Sequence, residues 1–329
     1  MTLVVGVDSG GSGLRIALAR AGDGTDEAGR LLETVTFCEP MRTGPGGIDA
    51  GQLLDRLLPA VEAMRERAGE RAGEEPARAV AVGAAGMATL GDRLRAELPG
   101  ALERAWGVRR LALAADAVTA YAGALGQRPG AVVAAGTGLI ALGTDLSGWR
   151  RADGWGHLLG DCGSGAWIGR AGLDAALRAH DGRRGGSAAL LARAEERFGP
   201  AAGLPGELYP RTDRAAVLAS FAPDVASCAV AGDPVAEDVL ARAATHIAEA
   251  AAAVLPVGTE GEVALTGGLL KLGEPLLAPL RAELRALLPT AREVAAAGDP
   301  LAGAVMVAGA LAADALRLPE DPRLLQLTR

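Results

Sequence analysis

The most constraining feature of the sequence is a strand–glycine turn–strand pattern that occurs twice, in residues 3–20 and again in residues 130–145. The first copy is LVVGVDSGGSGLRIALAR and the second is GAVVAAGTGLIALGTD. In each copy an apolar run leads into a glycine cluster and a second apolar run follows, which is typical of a hairpin of two strands. Two such hairpins in one chain predict a duplicated domain, with one glycine turn in each copy.

The rest of the chain alternates between short apolar runs and longer segments of helical period. Strands are predicted at residues 30–39, 77–87 and 108–116, helices at 50–69, 91–106, 117–126 and 299–316, a largely helical stretch at 163–253, and a strand, Gly-Gly turn and helix at 260–288. This alternation predicts an α/β protein of two related lobes. We place the N-terminal lobe at residues 1–118, together with the C-terminal segment 315–329, and the C-terminal lobe at 119–314.

The composition argues against several classes of protein. The 329 residues include 40 Asp and Glu against 33 Lys and Arg, and the net charge of −7 disfavours a nucleic acid or an anionic membrane as partner. Cys38, Cys162 and Cys228 lack the paired spacing of a zinc site and the density of a disulfide scaffold. No basic segment followed by a long apolar stretch marks a signal peptide. We therefore expect a reduced, cytoplasmic setting, and we leave a homodimer open.

The first glycine turn, DSGGSG, has two open interpretations. A dinucleotide-binding loop would have to begin a helix, whereas the LRIALA that follows alternates like a strand. A Walker loop is excluded because Lys271, the only lysine, does not stand in the required motif. The turn is then either a tight β-turn or a nest of backbone N–H groups that binds an anion. Two such turns with hydroxyls at Ser9, Ser12 and Thr137 favour a pair of phosphate-binding turns on one polyphosphate.

Two aspartates stand at the ends of apolar strands. Asp8 lies beside the first glycine turn, where a carboxylate would repel phosphates unless a cation intervenes. We expect it either to hold Mg²⁺ through water or to stabilise the turn. Asp116 stands at the carboxyl end of a strand, where α/β sheets place their ligands. It is either the N-cap of the next helix or a base that accepts a hydroxyl proton during phosphoryl transfer.

Two further glycine-rich segments suit ligand binding. GWGHLLGDCGSG, residues 154–165, places five glycines around a single carboxylate, Asp161, which could accept a hydrogen bond from a sugar hydroxyl. His157 in the same segment is expected to be structural, because no second histidine or cysteine stands at the spacing of a ligand or a triad. Gly267 and Gly268 separate a strand from a helix, either as a plain turn or as a place where an adenine lies against the main chain.

Taken in order, five segments resemble the motifs of the BadF/BadG/BcrA/BcrD ATPase family across nearly the whole chain: VDSGGSG, AADAVTAYAGA, AAGTGLIALG, GWGHLLGDCGSG and LTGGLLKLGEPL. Within that family they are most similar to the N-acetylglucosamine kinases and bacterial glucosamine kinases of the actin–hexokinase–Hsp70 superfamily. The resemblance implies two ribonuclease H-like lobes of the actin-like ATPase fold, with the nucleotide and the sugar in the cleft between them.

The resemblance also implies a role for each motif. It implies a first phosphate loop of Asp8, Gly10, Gly11 and Ser12 with the metal at Asp8, a second phosphate loop of Gly136, Thr137 and Gly138, an adenosine loop of Gly267 and Gly268, a base at Asp116, and a sugar site lined by Gly154, Trp155, Gly156 and Asp161. The implied reaction uses ATP and Mg²⁺ to phosphorylate the 6-hydroxyl of an amino sugar, N-acetylglucosamine or glucosamine.

Three departures from the family pattern bear on the sugar. Leu139 stands where the family commonly has Ser, and Cys162 stands where it commonly has Glu. The chain contains no Asn, although the family's kinases often carry one that reaches the sugar from the loop after the third strand. Thr43 or Asp49 could serve in its place. These departures leave phosphate and adenosine binding intact.

The missing amide also bears on the choice of sugar. An acetamido group needs hydrogen-bond partners such as that amide, whereas an ammonium group needs carboxylates, for which Asp49, Asp153 and Asp161 are candidates. The residues by themselves therefore favour the free amine slightly, and the family resemblance favours the acetylated sugar.

Two other functions stay open. An ATPase that activates a radical dehydratase would need cysteines in a local constellation for a cluster shared across a dimer, and Cys38, Cys162 and Cys228 stand apart. A non-catalytic sugar or nucleotide sensor is disfavoured because both Asp8 and Asp116 are present and no helix-turn-helix precedes the first strand.

Overall fold

The computed structural model describes residues 2–10, 13–21, 30–39, 41–44, 47–69, 77–256 and 261–328. Up to residue 129 the elements are β1 (Leu3–Gly10), β2 (Gly13–Arg20), β3 (Arg30–Phe37), β4 (Thr43–Gly44), β5 (Gly47–Ile48), α1 (Ala50–Arg67), β6 (Ala79–Ala84), α2 (Met87–Leu90), α3 (Asp92–Trp106), β7 (Arg110–Ala115) and α4 (Asp116–Leu125).

The remaining elements are β8 (Gly130–Ala135), β9 (Leu139–Thr144), β10 (Trp149–Asp153), α5 (Gly165–His180), α6 (Ala188–Phe198), α7 (Leu204–Leu208), α8 (Arg214–Ser220), α9 (Ala222–Val230), α10 (Pro234–Val254), β11 (Glu262–Thr266), α11 (Glu274–Leu287), β12 (Arg292–Ala295), α12 (Pro300–Ala312) and β13 (Leu325–Thr328). Short 3₁₀ helices cover Ala201–Gly203 and Gly268–Leu272.

Both predicted hairpins are present, and the predicted α/β class is confirmed. β1 and β2 pair antiparallel over their whole length, and β8 lies next to β9 in a second sheet. The sequence did not predict β10, β12 and β13. These strands are short and lie at or next to sheet edges, so they carry no long apolar alternation that would mark them.

The chain divides into two compact units. The first comprises residues 1–130, 144–149 and 295–329, and the second comprises 131–143 and 150–294. These bounds differ from the lobes predicted at 118 and 314, because α4 and α12 pack on each other and on the sheet of the first unit.

The first unit is built on a six-stranded sheet of order β13-β7-β6-β1-β2-β3. β1, β6 and β7 run parallel, and β2, β3 and β13 run antiparallel to their neighbours. α12 lies directly on this sheet, because Gly6 has no side chain: a Cβ there would be 2.7 Å from Val305 Cγ2. The apolar 299–316 segment is therefore a buried helix of the core, as predicted.

The second unit has a five-stranded sheet of order β10-β9-β8-β11-β12, and α5–α11 belong to the same unit. Its core includes the fully buried Ile168, Phe221, Val225 and Ile247. No helix in the described part of the chain combines the length and the apolar character needed to cross a membrane.

Candidate active site

Asp8 lies near the carboxyl end of β1 and contacts a guanidinium. Arg15, its partner in the register of β1 and β2, donates to Oδ2 of Asp8 from Nε at 3.1 Å and from Nη2 at 2.7 Å. Nη1 of Arg15 donates to Oδ2 of Asp299, which is the N-cap of α12. One arginine thus joins two carboxylates that are far apart in the sequence.

The two carboxylates have opposite pKa shifts. Burial raises the pKa of Asp8 above its ordinary value, although the hydrogen bonds and the charge of Arg15 act to lower it. Burial also acts to raise the pKa of Asp299, but hydrogen bonds from the Ala302 N–H and from Arg15 hold that pKa below its ordinary value. The difference between the two pKa shifts follows the exposure of the side chains, since that of Asp8 is 14% exposed and that of Asp299 is 52% exposed.

The surroundings of Asp8 fit a magnesium ion that is brought in with a nucleotide. Mg²⁺ usually keeps several waters and is held by one or two carboxylates together with substrate phosphates. Asp8 supplies one carboxylate. Both hydrogen bonds from Arg15 go to its Oδ2, and neither uses its Oδ1. In the described residues, no group of three or more His, Cys, Asp or Glu side chains is placed to hold a metal by itself.

The first glycine-rich segment joins β1 to β2. Gly10, the last residue of β1, and Gly13, the first residue of β2, pair with each other. Gly11 and Ser12, which the family resemblance places on the phosphates, lie outside the described residues. The hydroxyl of Ser9 is fully buried, so it does not line the surface of the turn as the sequence led us to expect.

Asp116 is the first residue of α4 and directly follows β7. The N-cap residue of α4 is Ala115, so Asp116 is not the N-cap that the sequence offered as one interpretation. Oδ1 of Asp116 accepts a hydrogen bond from the Ala117 N–H at 2.9 Å. Asp8 and Ala114 are both in register with Gly83 of β6. Asp116 therefore lies at the carboxyl-terminal ends of the parallel strands, as Asp8 does. The two residues are separated across the sheet by two strand spacings, about 10 Å.

The two residues considered in place of the family Asn lie near each other in sequence. Thr43 is in β4, where it pairs with Ile48 of β5. Asp49 is the N-cap of α1, and its Oδ1 accepts from the Gln52 N–H at 2.9 Å. The carboxylate of Asp49 therefore caps the helix, and the sugar contact predicted for Thr43 stays a prediction.

The second glycine turn, residues 136–138, is tied to the start of α5. Gly136 N–H donates to the Gly138 carbonyl at 2.9 Å. The N–H groups of Gly165 and Ala166 donate to the carbonyls of Gly136 and Thr137 at 2.9 and 3.1 Å. Two of the N–H groups that the geometry of a helix leaves without internal partners are therefore used to hold the turn.

Leu139, where the family commonly has Ser, begins β9. Its side chain is 2% exposed and belongs to the hydrophobic core of the second unit. The hydroxyl that the family has at this position is therefore replaced by an apolar side chain that packs in the core. Thr137 is the residue of the turn that carries a hydroxyl.

The 154–161 loop returns to the 136–138 turn at Asp161. Oδ1 of Asp161 accepts from the Gly156 N–H at 2.9 Å. Oδ2 lies so close to Gly138 that a Cβ on that glycine would be 2.5 Å away. Burial raises the pKa of Asp161 above its ordinary value, the bond from Gly156 lowers it, and the charge of Asp153 raises it again. One buried carboxylate thus joins the loop to the turn.

Asp153 and Arg151 hold the base of this loop. The carboxylate of Asp153 accepts from the N–H groups of Asp161 at 2.6 Å and Cys162 at 2.8 Å, one on each oxygen. Arg151 donates to the carbonyls of Asp153 at 3.0 Å and Gly154 at 2.6 Å, and its guanidinium carbon lies 4.5 Å from the centre of the Trp155 ring. Asp153 was a candidate for a substrate ammonium, but each of its oxygens already accepts a hydrogen bond from a backbone N–H group.

The three cysteines lie in different surroundings. Cys162 is half-buried, and burial together with the charge of Asp153 raises its thiol pKa above the ordinary value, so the thiol stays protonated. Cys38 is exposed in the first unit, and Cys228 is buried in the core of the second.

Gly267 and Gly268 follow β11. The φ angle of Gly267 is +109°, and a Cβ there would overlap the carbonyl of Ala135, the last residue of β8. Gly268 begins the 3₁₀ helix that precedes α11. The predicted strand, Gly-Gly turn and helix are present, with one 3₁₀ helix inserted, and the turn lies beside the start of the 136–138 turn.

The predicted residues therefore fall into two groups. The first unit contains Asp8, Gly10, Thr43 and Asp116, and the second contains Gly136, Thr137, Gly138, Gly154, Trp155, Gly156, Asp161, Gly267 and Gly268. Sequence reasoning missed Arg15, Arg151 and the hydrogen bonds that Asp153 accepts from the backbone of the loop. Asp299 carried a local signal, because an Asp before Pro300 is a typical helix start, but nothing local linked it to Arg15.

The chain contains two α/β units. Each unit has a strand–glycine turn–strand pattern and acidic residues at strand ends. The architecture is the actin-like ATPase fold that sugar kinases share. The chain belongs to the BadF/BadG/BcrA/BcrD ATPase family, whose sequence profile matches residues 5–308.

Individual relatives are sugar kinases by name. An N-acetylmuramic acid/N-acetylglucosamine kinase from Clostridium acetobutylicum is 30% identical over 186 residues, and the match spans 56% of each chain, little more than half of the relative's length. A solved structure from Chromobacterium violaceum, assigned as an N-acetylglucosamine kinase, has a TM-score of 0.72 and 30% identity, covering 93% of this chain and 98% of that one. A ROK family glucokinase from Streptomyces griseus, solved with glucose and AMPPNP, shares the fold with a TM-score of 0.52 and 23% identity, covering 96% and 99%.

Proposed function

We propose that the protein transfers the γ-phosphoryl group of ATP to the 6-hydroxyl of an amino sugar. The observation that carries the proposal is the contact of Asp161 with Gly138. A kinase must hold phosphates and acceptor side by side, and here the loop that suits a sugar is joined through one carboxylate to the turn that suits a phosphate. Family membership and the names of the relatives support the same reaction.

We propose one role in the reaction for each of these groups. Asp116, at the carboxyl end of β7, accepts the proton of the 6-hydroxyl as the hydroxyl oxygen attacks the γ-phosphorus. The 136–138 turn binds phosphate oxygens through backbone N–H groups and the Thr137 hydroxyl. Gly267 and Gly268 let the adenine lie against the main chain. Asp8 would hold Mg²⁺ through water, and that ion supplies neutralisation of the charge on the phosphates.

N-acetylglucosamine is the acceptor that we propose as preferred. The sequence-based preference for glucosamine depended on the absence of Asn and on three candidate carboxylates, and two of these, Asp49 and Asp153, accept hydrogen bonds from backbone N–H groups. Asp161, the third, also accepts from Gly156. An ammonium group would therefore find fewer open carboxylate oxygens than the sequence suggested, whereas an acetamido group has no charge to neutralise.

The test is turnover of ATP against a panel of glucose, glucosamine, N-acetylglucosamine, N-acetylmannosamine and N-acetylmuramic acid, with the product position assigned by phosphorus NMR. We expect N-acetylglucosamine 6-phosphate, and a kcat/KM at least about tenfold above that for glucosamine, because one unmatched buried polar group costs about 1–3 kcal/mol.

Each other outcome of the panel has a defined meaning. Equal efficiency on the two amino sugars would show that the substituent at the second carbon points into solvent. Turnover of glucose alone would contradict the amino-sugar assignment. Nucleotide binding with no turnover of any sugar would favour the sensor, and iron in the purified protein would favour the dehydratase activator.

A further inference from the structure

We infer that Asp153 is a positioning residue for sugar binding, and that it acts by holding the 154–161 loop in the shape that places Asp161 against the sugar. This inference rests on the proposed function. Asp153 touches neither reactant in this view, and its action passes through the backbone of the residues that it binds.

The hydrogen bonds of Asp153 join the two ends of the loop. The side chain belongs to the residue that precedes Gly154, yet its oxygens accept from the N–H groups of Asp161 and Cys162 at 2.6 and 2.8 Å. Bonds from N–H groups to a carboxylate are roughly twice as strong as those between neutral groups. The carboxylate thus closes the loop at its base and fixes the backbone on both sides of the Asp161 side chain.

Close contacts across the loop agree with this arrangement. A Cβ on Gly160 would lie 2.5 Å from Oδ1 of Asp153 and 2.9 Å from Cβ of Trp155, so the chain passes here because residue 160 is a glycine. Asp153 itself has a φ of +58° and Asp161 a φ of +52°, conformations that cost energy for residues other than glycine. The surrounding hydrogen bonds must offset that cost.

Burial of side chains contributes little to the order of this loop. Trp155, Leu158 and Leu159 are 64%, 74% and 87% exposed. The hydrophobic effect therefore does not hold these residues in place, and the polar contacts of Asp153, Arg151 and Asp161 provide most of the order.

The charges agree with a positioning role. Asp153 raises the pKa of Asp161 by repulsion, so the two carboxylates lie close together at some electrostatic cost. The charges of His157 and Arg151 act in the opposite direction on Asp161. A carboxylate kept beside another one at a cost is expected to have a use, and the use that the geometry supports is control of the backbone at residue 161.

The experiment compares Asp153→Asn and Asp153→Ala with the wild type. The asparagine variant keeps one acceptor oxygen but turns an NH₂ group toward the second backbone N–H, and the alanine variant keeps neither oxygen. Asp145→Ala is the matched control, because Asp145 likewise accepts from a backbone N–H, that of Ser147 at 2.9 Å, four residues before the first residue of β10. Three quantities are measured: sugar KM, ATP KM with kcat, and amide hydrogen exchange of a peptide spanning residues 154–164.

We expect sugar KM to rise at least about tenfold in both Asp153 variants, with ATP KM and kcat within about threefold of the wild type and amide exchange of the loop at least about tenfold faster. Asp145→Ala should leave all three unchanged. A residue that served only the stability of the fold would lower the amount of active enzyme, and so kcat, without changing sugar KM.

Two results with the Asp153 variants would overturn the inference while leaving the proposed function in place. Faster exchange in the loop with an unchanged sugar KM would show that the loop is held by Asp153 but does not set sugar binding. Unchanged exchange would show that Asp153 does not hold the loop. A wild-type enzyme that phosphorylates no sugar would overturn the proposed function, and the inference with it, and this outcome is recognised before any variant is made.

Discussion

Oδ2 of Asp161 lies against Gly138, where a Cβ would be only 2.5 Å away. The contact joins a buried carboxylate of one glycine-rich segment to the backbone of another, and Asp161 has little freedom to move because its Oδ1 also accepts from Gly156. A methyl group at residue 138 must therefore displace the carboxylate or the turn.

We predict that Gly138→Ala lowers the free energy of unfolding by about 1–3 kcal/mol and raises the sugar KM. Gly136→Ala is the control within the same turn, because among the described residues, its two chain neighbours aside, no atom lies within 4 Å of a Cβ there. It should leave stability unchanged and, if phosphates approach the turn, raise the ATP KM. Urea unfolding and steady-state kinetics measure both, and equal stability of the two variants would contradict the close contact.

Asp116→Asn should lower turnover by about 10²-fold or more while nucleotide affinity changes little, because the amide cannot accept the proton of the attacking hydroxyl. Asp92→Asn is the matched control, since Asp92 is also the first residue of a helix in the same unit, α3, and is exposed. Turnover of Asp116→Asn near that of the Asp92 variant, with both folded, would leave Asp116 with its helix-start role alone.

Arg15→Gln should lower the free energy of unfolding at pH 7 by about 1–3 kcal/mol, because it leaves the mostly buried Asp8 carboxylate without its charged partner. Burial already raises the pKa of Asp8, and loss of Arg15 raises it further. A carboxyl with a raised folded-state pKa contributes stability at low pH that is lost as pH rises through that pKa. The difference from wild type should therefore shrink as pH falls toward 4.

Urea unfolding between pH 4 and pH 8 measures this dependence. Arg211→Gln is the control, because Arg211 makes a similar two-bond pair with Asp213 but at the surface, where such pairs contribute little. Adding Asp8→Asn to Arg15→Gln should remove most of the pH dependence. A penalty for Arg15→Gln that is the same at pH 4 and pH 8 would contradict the account.

Asp161→Asn should stabilise the fold at pH 7 and lower sugar kcat/KM about tenfold or more. Burial raises the pKa of Asp161 above the ordinary 3.8, so its charged form is less favourable in the folded state than in the unfolded chain. The neutral amide avoids that cost and still accepts from Gly156. The gain in stability should disappear as pH falls well below 3.8, where Asp161 is protonated in both states. A variant that is less stable than wild type at pH 7 would show that the charge is needed by the fold.

Local patterns were sufficient for much of the secondary structure. The hairpins around Gly10 and Gly136 were predicted because apolar alternation and glycine are properties of adjacent residues. The helix starting at Asp116 and the buried helix after Asp299 were also predicted from local signals, which are the apolar pattern of each segment and an Asp at its start. The order of the five motifs along the chain also indicated the family, and the family match over residues 5–308 confirms it.

Sequence by itself thus determined most of the longer strands and helices and the types of residue available at each turn, because these depend on neighbours a few positions away. Only the tertiary structure decided which partners the charged groups meet. Arg15 joins Asp8 to Asp299, which lies 284 positions after Arg15 in the sequence. Asp153 uses its carboxylate on the backbone of its own loop rather than offering it to a substrate. A carboxylate has the same formula in both situations, and the packing that brings N–H groups, guanidinium groups or a ligand to it is a property of the whole fold.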